Sequence, residues 1–245
     1  MIFEYQEIII IALLSIFQSI FGVGLLLFGT PIFLILGNNF LDSLNILIPV
    51  SITISFLQIK YANISYKKND FIKKFNTITI PSLLIALIFF VLNYENFNIN
   101  LIVSLIIIFF SLINIFFGEK LIKKSDNLTI DNFVYLLIGL VHGMTNLGGS
   151  LLTLASTKKN KVKEQARYCI AYGYLIMGIL QLIFINLFTD AKLSIYKLSF
   201  LIIPIFIYKI SQVFFKSLSN LRYNLILNLI ALNFGIFIFI KYIKV

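Results

Sequence analysis

The sequence predicts an all-α integral membrane protein of eight hydrophobic segments, arranged as two inverted four-segment repeats. Three observations carry this: bulk composition, the spacing of the apolar runs, and a numerical offset shared by the two halves. Of 245 residues, 60% are hydrophobic and 12% charged, with a mean hydropathy of +0.99. Too few polar side chains remain to cover a water-soluble globule. No polar stretch is long enough to form a separate domain, so residues 1–245 read as one membrane domain, with repeat one at 1–125 and repeat two at 126–245.

The apolar runs fall at 8–36, 44–60, 77–93, 99–117, 133–155, 168–188, 198–215 and 223–240. Continuous rather than alternating hydrophobicity favours helices over a barrel, and a hydrocarbon core takes about 20 helical residues. The first run is the exception, since residues 8–36 as one helix would extend about 43 Å, beyond a core of about 30 Å. Gly22, Gly24, Gly29 and Pro31 interrupt it. The acidic start Met1-Ile-Phe-Glu4-Tyr-Gln-Glu7 is unlike the basic start of a signal peptide, so the run is expected to stay in the mature chain. The second, third and fourth runs suit single crossings, the third carrying Pro81. The fifth is interrupted by Gly143, Gly148 and Gly149. The sixth and seventh suit crossings again, the seventh with Pro204, and the eighth closes the set.

The halves echo one another. Gly24 and Gly148 stand 124 positions apart, while Gln58 and Gln181, and Pro81 and Pro204, stand 123 apart. A common offset across three residue types points to an old duplication. The basic residues then orient the repeats. Alternate crossing by all eight segments puts 12 basic residues on one side and 8 on the other. If segments one and five instead turn back as re-entrant hairpins, 16 lie on one side and only Lys192, Lys197, Lys241 and Lys244 on the other. The positive-inside rule selects the second arrangement. The hairpins then enter from opposite sides, with their tips expected to meet near the midplane.

Glycine accepts positive φ and lets a ligand approach the backbone, and irregular backbone at membrane depth requires surrounding protein or a water-filled cavity. The second arm of each hairpin begins at its break, presenting free N–H groups and a positive dipole end, which together suit an anion. The expected substrate-binding residues are Gly22, Gly24, Pro31, Gln58, His142, Asn146, Gly148, Gly149, Ser150 and Gln181. Asn146 or Ser150 suits a cap or an oxyanion donor. His142, the only histidine, suits a donor or a proton relay as much as a neutral core imidazole. Ser51, Thr53, Ser55, Tyr172 and Tyr174 are secondary candidates. The competing reading of the glycines is close helix packing.

A formal charge of +10 is explained by basic loops between segments, so no nucleic-acid partner is expected. With Cys169 as the only cysteine, neither a disulfide nor a cysteine metal cluster can form within the chain. No metal site and no cofactor are expected.

At the two breaks the chain resembles the sulfite exporter TauE/SafE family of membrane permeases. That family's motif, roughly G-x-x-G-x-G-G-G and then Pro after four residues, opens each half. Gly22, Gly24 and Pro31 match in the first half, with Ser19 and Leu25-Leu26 in place of glycines. Gly143, Gly148 and Gly149 match in the second, with Asn146 and Ser150 replacing glycines and Ala155 the proline. The resemblance implies a multi-pass permease for a small anion such as a sulfur oxyanion, an organosulfonate or a carboxylate. The expected function is therefore secondary transport across a plasma membrane of the bacterial inner-membrane type, coupled to a proton or another ion. Two alternatives are a membrane-embedded enzyme using His142 with Thr145 or Ser150, and a non-transporting assembly subunit.

Overall fold

The structure is a computed structural model that describes residues 2–62, 70–93, 128–160, 162–193, 195–223 and 226. Segment four, and segment eight apart from Tyr223 and Ile226, lie outside the described residues. The described helices are α1 Ile2–Phe21, α2 Leu25–Ile35, α3 Phe40–Lys60, α4 Asp70–Asn93, α5 Leu128–Thr145, α6 Gly149–Lys159, α7 Lys163–Phe188 and α8 Ser199–Ser217. A single turn, Ile195–Leu198, leads into α8. All regular structure among the described residues is helical. α3, α4, α7 and α8 are long and apolar enough to cross a membrane.

Exposed apolar stripes run along the outside of the bundle. Ile9, Leu13 and Ile16 mark α1, while Ile85, Ile88, Phe89 and Leu92 mark α4. On α7 the stripe is Ile179, Ile183 and Leu187, and on α8 it includes Ile202, Ile205, Phe206, Ile210 and Val213. Surfaces this apolar and this continuous suit lipid rather than water.

α3 forms the centre, running antiparallel to α7. Gly178 of α7 packs on Ile48 and Ile52, and Asn186 donates to Asn45 Oδ1 at 3.1 Å. Asn186 Oδ1 also accepts from the Leu193 N–H at 2.6 Å, holding the end of α7 against α3. α5 lies on α4 through Gly139 and Gly143. A Cβ on Gly139 would overlap Ser82 Oγ and the Thr79 carbonyl, and one on Gly143 would come within 2.7 Å of Ala86 Cβ. Here the packing role holds: glycines four apart face the small residues of a neighbouring helix.

Both prolines of the third and seventh segments follow a distorted turn. Proline has no N–H and its ring crowds the carbonyl four residues back. A π turn at Phe75–Thr79 precedes Pro81, and a 3-10 turn at Ser199–Leu201 precedes Pro204. Such departures from α geometry are a common response to a lost backbone bond.

Both broken segments fold back on themselves. In the first, Phe17 meets Phe28 with ring centroids 5.3 Å apart, and Gly29 packs against Leu14. In the second, Lys159 at the end of α6 reaches Asp131 at the start of α5, with Nζ to Oδ2 at 2.9 Å. Lys74 pairs with the same carboxylate at 2.6 Å, and Asp70 pairs with Lys159 at 2.8 Å. Four alternating charges thus close the mouth of the second hairpin onto the start of α4. The hairpins enter from opposite ends of the bundle: α5 starts beside the beginning of α4, whereas α1 finishes beside the end of α3 and the beginning of α7.

The expectation that the tips meet does not hold, because the arms are longer than a half-membrane hairpin requires. α1 has 20 residues and α5 has 18, about 30 and 27 Å of helix. The first tip lies level with Arg167 and Ile170, only about 6–10 Å into α7. The second lies level with Tyr174 and Ala86, about 17–24 Å from the same end of the bundle. The hairpins therefore pass side by side. Asn146 at the second tip donates to Thr30 Oγ1, well along α2, at 2.9 Å.

The hairpin at residues 128–159 makes a topological prediction. Single cysteines replacing the exposed Asn132 and Val162, in a Cys169→Ala background, will react with an impermeant thiol reagent from the same side of a sealed vesicle. Reaction from opposite sides would mean that this segment crosses.

Candidate functional site

The first break is closed by side chains. Gly22 and Gly24 adopt φ of 81° and 144°, which L-residues rarely take. A Cβ on Gly24 would also overlap the Phe17 ring. The Leu25 N–H at the start of α2 donates to Gln18 Oε1 at 3.2 Å. Gln18 Nε2 in turn donates to Ser51 Oγ at 2.9 Å and Ser55 Oγ at 3.3 Å. The carbonyls ending α1 are claimed as well. Gln58 Nε2 reaches Gln18 O at 2.7 Å and Ser19 O at 3.1 Å, Arg167 Nη1 reaches Ser19 O at 3.2 Å, and Tyr223 Oη reaches Phe21 O at 2.6 Å. Pro31 is buried in α2. Gly22, Gly24, Pro31 and Gln58 thus build a buried chain reversal whose backbone ends are taken up, although Ser15 Oγ, Ser19 Oγ and Gln58 Oε1 have no partner among the described residues.

The second break is built alike but leaves more of its polar atoms without partners. Asn146 has φ of 65°, the one positive value outside glycine among the described residues, and asparagine tolerates that region better than most residues. α6 then starts at Gly149 without a side-chain cap. Gly148 lies against His142 and Ile138, and a Cβ on Gly149 would overlap the Tyr174 hydroxyl. His142 and Tyr174 meet edge to face at 5.9 Å. Gln181 approaches the imidazole, yet neither ring nitrogen makes an aligned hydrogen bond. Tyr174 Oη, Gln181 Oε1 and Asn146 Oδ1 are likewise buried without a partner. His142, Asn146 and Tyr174 are wholly buried and Gln181 is 2% exposed.

The correspondence is positional. Gln18, Ser51, Ser55 and Gln58 lie 123 or 124 residues before His142, Tyr174, Gly178 and Gln181. In the first set, the Gln18 amide and the two serine hydroxyls satisfy one another, while Gln58 Oε1 stays without a partner among the described residues. In the second, an imidazole, a phenol and a glycine stand in their places, and the geometry no longer closes. Buried polar groups normally find partners, and these lack one among the described residues. The cluster's free atoms are the His142 ring nitrogens and the Tyr174 hydroxyl, which can donate, and the Asn146 and Gln181 amide oxygens, which accept, beside the positive end of α6.

Of the expected residues, His142, Asn146, Gly148, Gly149 and Gln181 come together here. Ser150 lies on the same turn, half-buried, donating to Leu147 O at 3.3 Å. Thr145 donates to Val141 O at 2.7 Å. No group of three or more histidine, cysteine or acidic side chains able to hold a metal occurs among the described residues. Sequence reasoning ranked Tyr174 second and did not nominate Gln18, although its offset of 124 from His142 was a usable signal.

Two stability predictions follow from this geometry. Gln18→Leu leaves the Leu25 N–H and two serines without their bonds, and each stranded buried group costs about 1–3 kcal/mol, so thermal unfolding in detergent will shift sharply down. Gly149→Ala will also lower the Tm, because overpacking costs about 1–3 kcal/mol of stability, and Tyr174→Phe in the same chain will restore part of the loss. Tyr174→Phe alone removes an unpartnered hydroxyl and will be neutral or slightly stabilising.

Comparison with known protein families, characterised proteins and solved structures finds no match for this chain.

Proposed function

We propose that this chain is a secondary transporter of a small anion, with its substrate site at the tip of the second hairpin. The observation that carries the reading is the cluster of buried, unpartnered polar atoms on His142, Tyr174, Gln181 and Asn146, whose amide nitrogen is held by Thr30, beside the uncapped start of α6. Paired broken helices whose half-helix N-termini point inward are a recurrent way for transporters to hold anionic groups at membrane depth. Neutral donors bind such an ion without the desolvation cost of a buried lysine.

The reading includes eight segments in two inverted repeats, an arrangement supported by the 123–124 offset and by hairpins entering from opposite ends. In it, the first break is a structural pivot and the second break is the binding element. Relative movement of the repeats would expose the tip alternately to the two sides of a cell membrane. The resemblance of the breaks to the TauE/SafE motif supports a sulfur oxyanion, organosulfonate or carboxylate as substrate. His142 is the group placed to relay a coupled proton.

Flux in proteoliposomes across a panel of sulfite, sulfate, sulfonates and carboxylates tests the proposal. Saturable, protein-dependent flux of at least one anion is expected. It should fall about tenfold or more in His142→Ala and in Gln181→Leu with folding retained, a loss equivalent to about 1.4 kcal/mol. Absence of flux for every anion, with folded protein in the membrane, would refute it.

A further inference from the structure

A second feature lies away from the hairpin tip. A cavity of about 600 Å³ opens between the end of α3, the start of α7 and the second half of α8. Arg167 and Gln212 line its inner part, and the exposed Lys209 and Lys216 stand on its rim. Glu164 is the one carboxylate in its wall, and it lies 3.9 Å from Lys163.

Arg167 is unusual in this wall. It is only 8% exposed, and it donates through Nη1 to two neutral acceptors, Ser19 O at 3.2 Å and Gln212 Oε1 at 2.9 Å. Its plane stacks on Phe215 at 3.4 Å. No carboxylate pairs with it among the described residues, and no bond from Nε or Nη2 to any of them accompanies the two from Nη1. A buried guanidinium has five N–H donors and a charge that is costly to leave unpaired. Planar recognition of an oxyanion is what those donors suit best.

We infer that this cavity is a second anion site, which takes a compact, multiply charged oxyanion of the phosphate type between Arg167 and the two rim lysines. Two sources present that chemistry. A free ion enters from the water at the basic end of the bundle. A phospholipid headgroup enters from the bilayer past Ile205, which is 54% exposed. Basic pockets between membrane helices take headgroups by the same electrostatics. The inference stands apart from the transport reading, since it uses a different cavity and none of the hairpin-tip cluster.

The experiment uses the purified full chain in an uncharged detergent, with thermal unfolding followed during two titrations. One arm adds inorganic phosphate, the other a short-chain phosphatidic acid, with the matching diacylglycerol as its neutral control. A saturable rise in Tm in at least one arm is expected, weakening as salt is added. A rise with phosphate assigns a free-ion site, and a rise with the acidic lipid alone assigns a headgroup site. Lys209→Gln/Lys216→Gln should weaken the apparent affinity about tenfold, and Arg167→Gln should abolish the response. The rim variant carries the test if Arg167→Gln fails to fold, because both lysines are exposed. Lys192→Gln/Lys197→Gln, at the opposite end, should leave the response unchanged. No rise in either arm, or a rise that survives the rim variant intact, would overturn the inference.

Discussion

Everything in this fold hangs on the need to satisfy broken backbone inside an apolar layer. Where α1 stops and α2 starts, there is no helix to take up the free N–H and carbonyl groups and no bulk water to replace it. Gln18 resolves the N-terminal side with one amide, joining Leu25 to Ser51 and Ser55. Gln58, Arg167 and Tyr223 resolve the C-terminal side by taking the last carbonyls of α1. Those donors come from α3, α7 and beyond α8, so satisfying one break also fixes where its neighbours lie. The first hairpin is locked onto the central α3 for this reason.

The second hairpin meets the same need differently. Its outer end is held by four alternating charges, Asp70, Lys74, Asp131 and Lys159. Its long arm is pressed onto α4 through Gly139 and Gly143, and its tip is tied to α2 by a single bond from Asn146 to Thr30. Between these anchors, His142, Tyr174 and Gln181 keep unpartnered polar atoms. Each such group costs about 1–3 kcal/mol if nothing repays it. A rigid frame around an unsatisfied tip is the arrangement in which a bound water or anion has the most to contribute.

The glycines of the two breaks divide by physical role. Gly22 and Gly24 carry backbone angles closed to other residues. Gly139 and Gly143 let two helices touch, which is packing and nothing more. Gly148 and Gly149 leave room for His142 and Tyr174. Composition treats all six alike, and only their neighbours distinguish them.

Much of this was legible in the chain itself. Hydropathy placed the described helices within several residues of their observed bounds, glycine and proline marked both breaks, and the count of basic residues favoured two hairpins. These properties are local or additive, so a sequence carries them without reference to contacts. Two things needed the tertiary structure. Tip depth depends on how far each arm runs along its neighbours, and the long arms of α1 and α5 carry the tips past one another instead of together. Whether a break is satisfied depends on partners 33 to 202 residues away, as with Gln18 and Ser51 or Tyr223 and Phe21. Two stretches that read as equivalent in sequence therefore differ in chemistry: the first is a largely hydrogen-bonded knot around Gln18, and the second a buried polar cluster with more atoms short of partners.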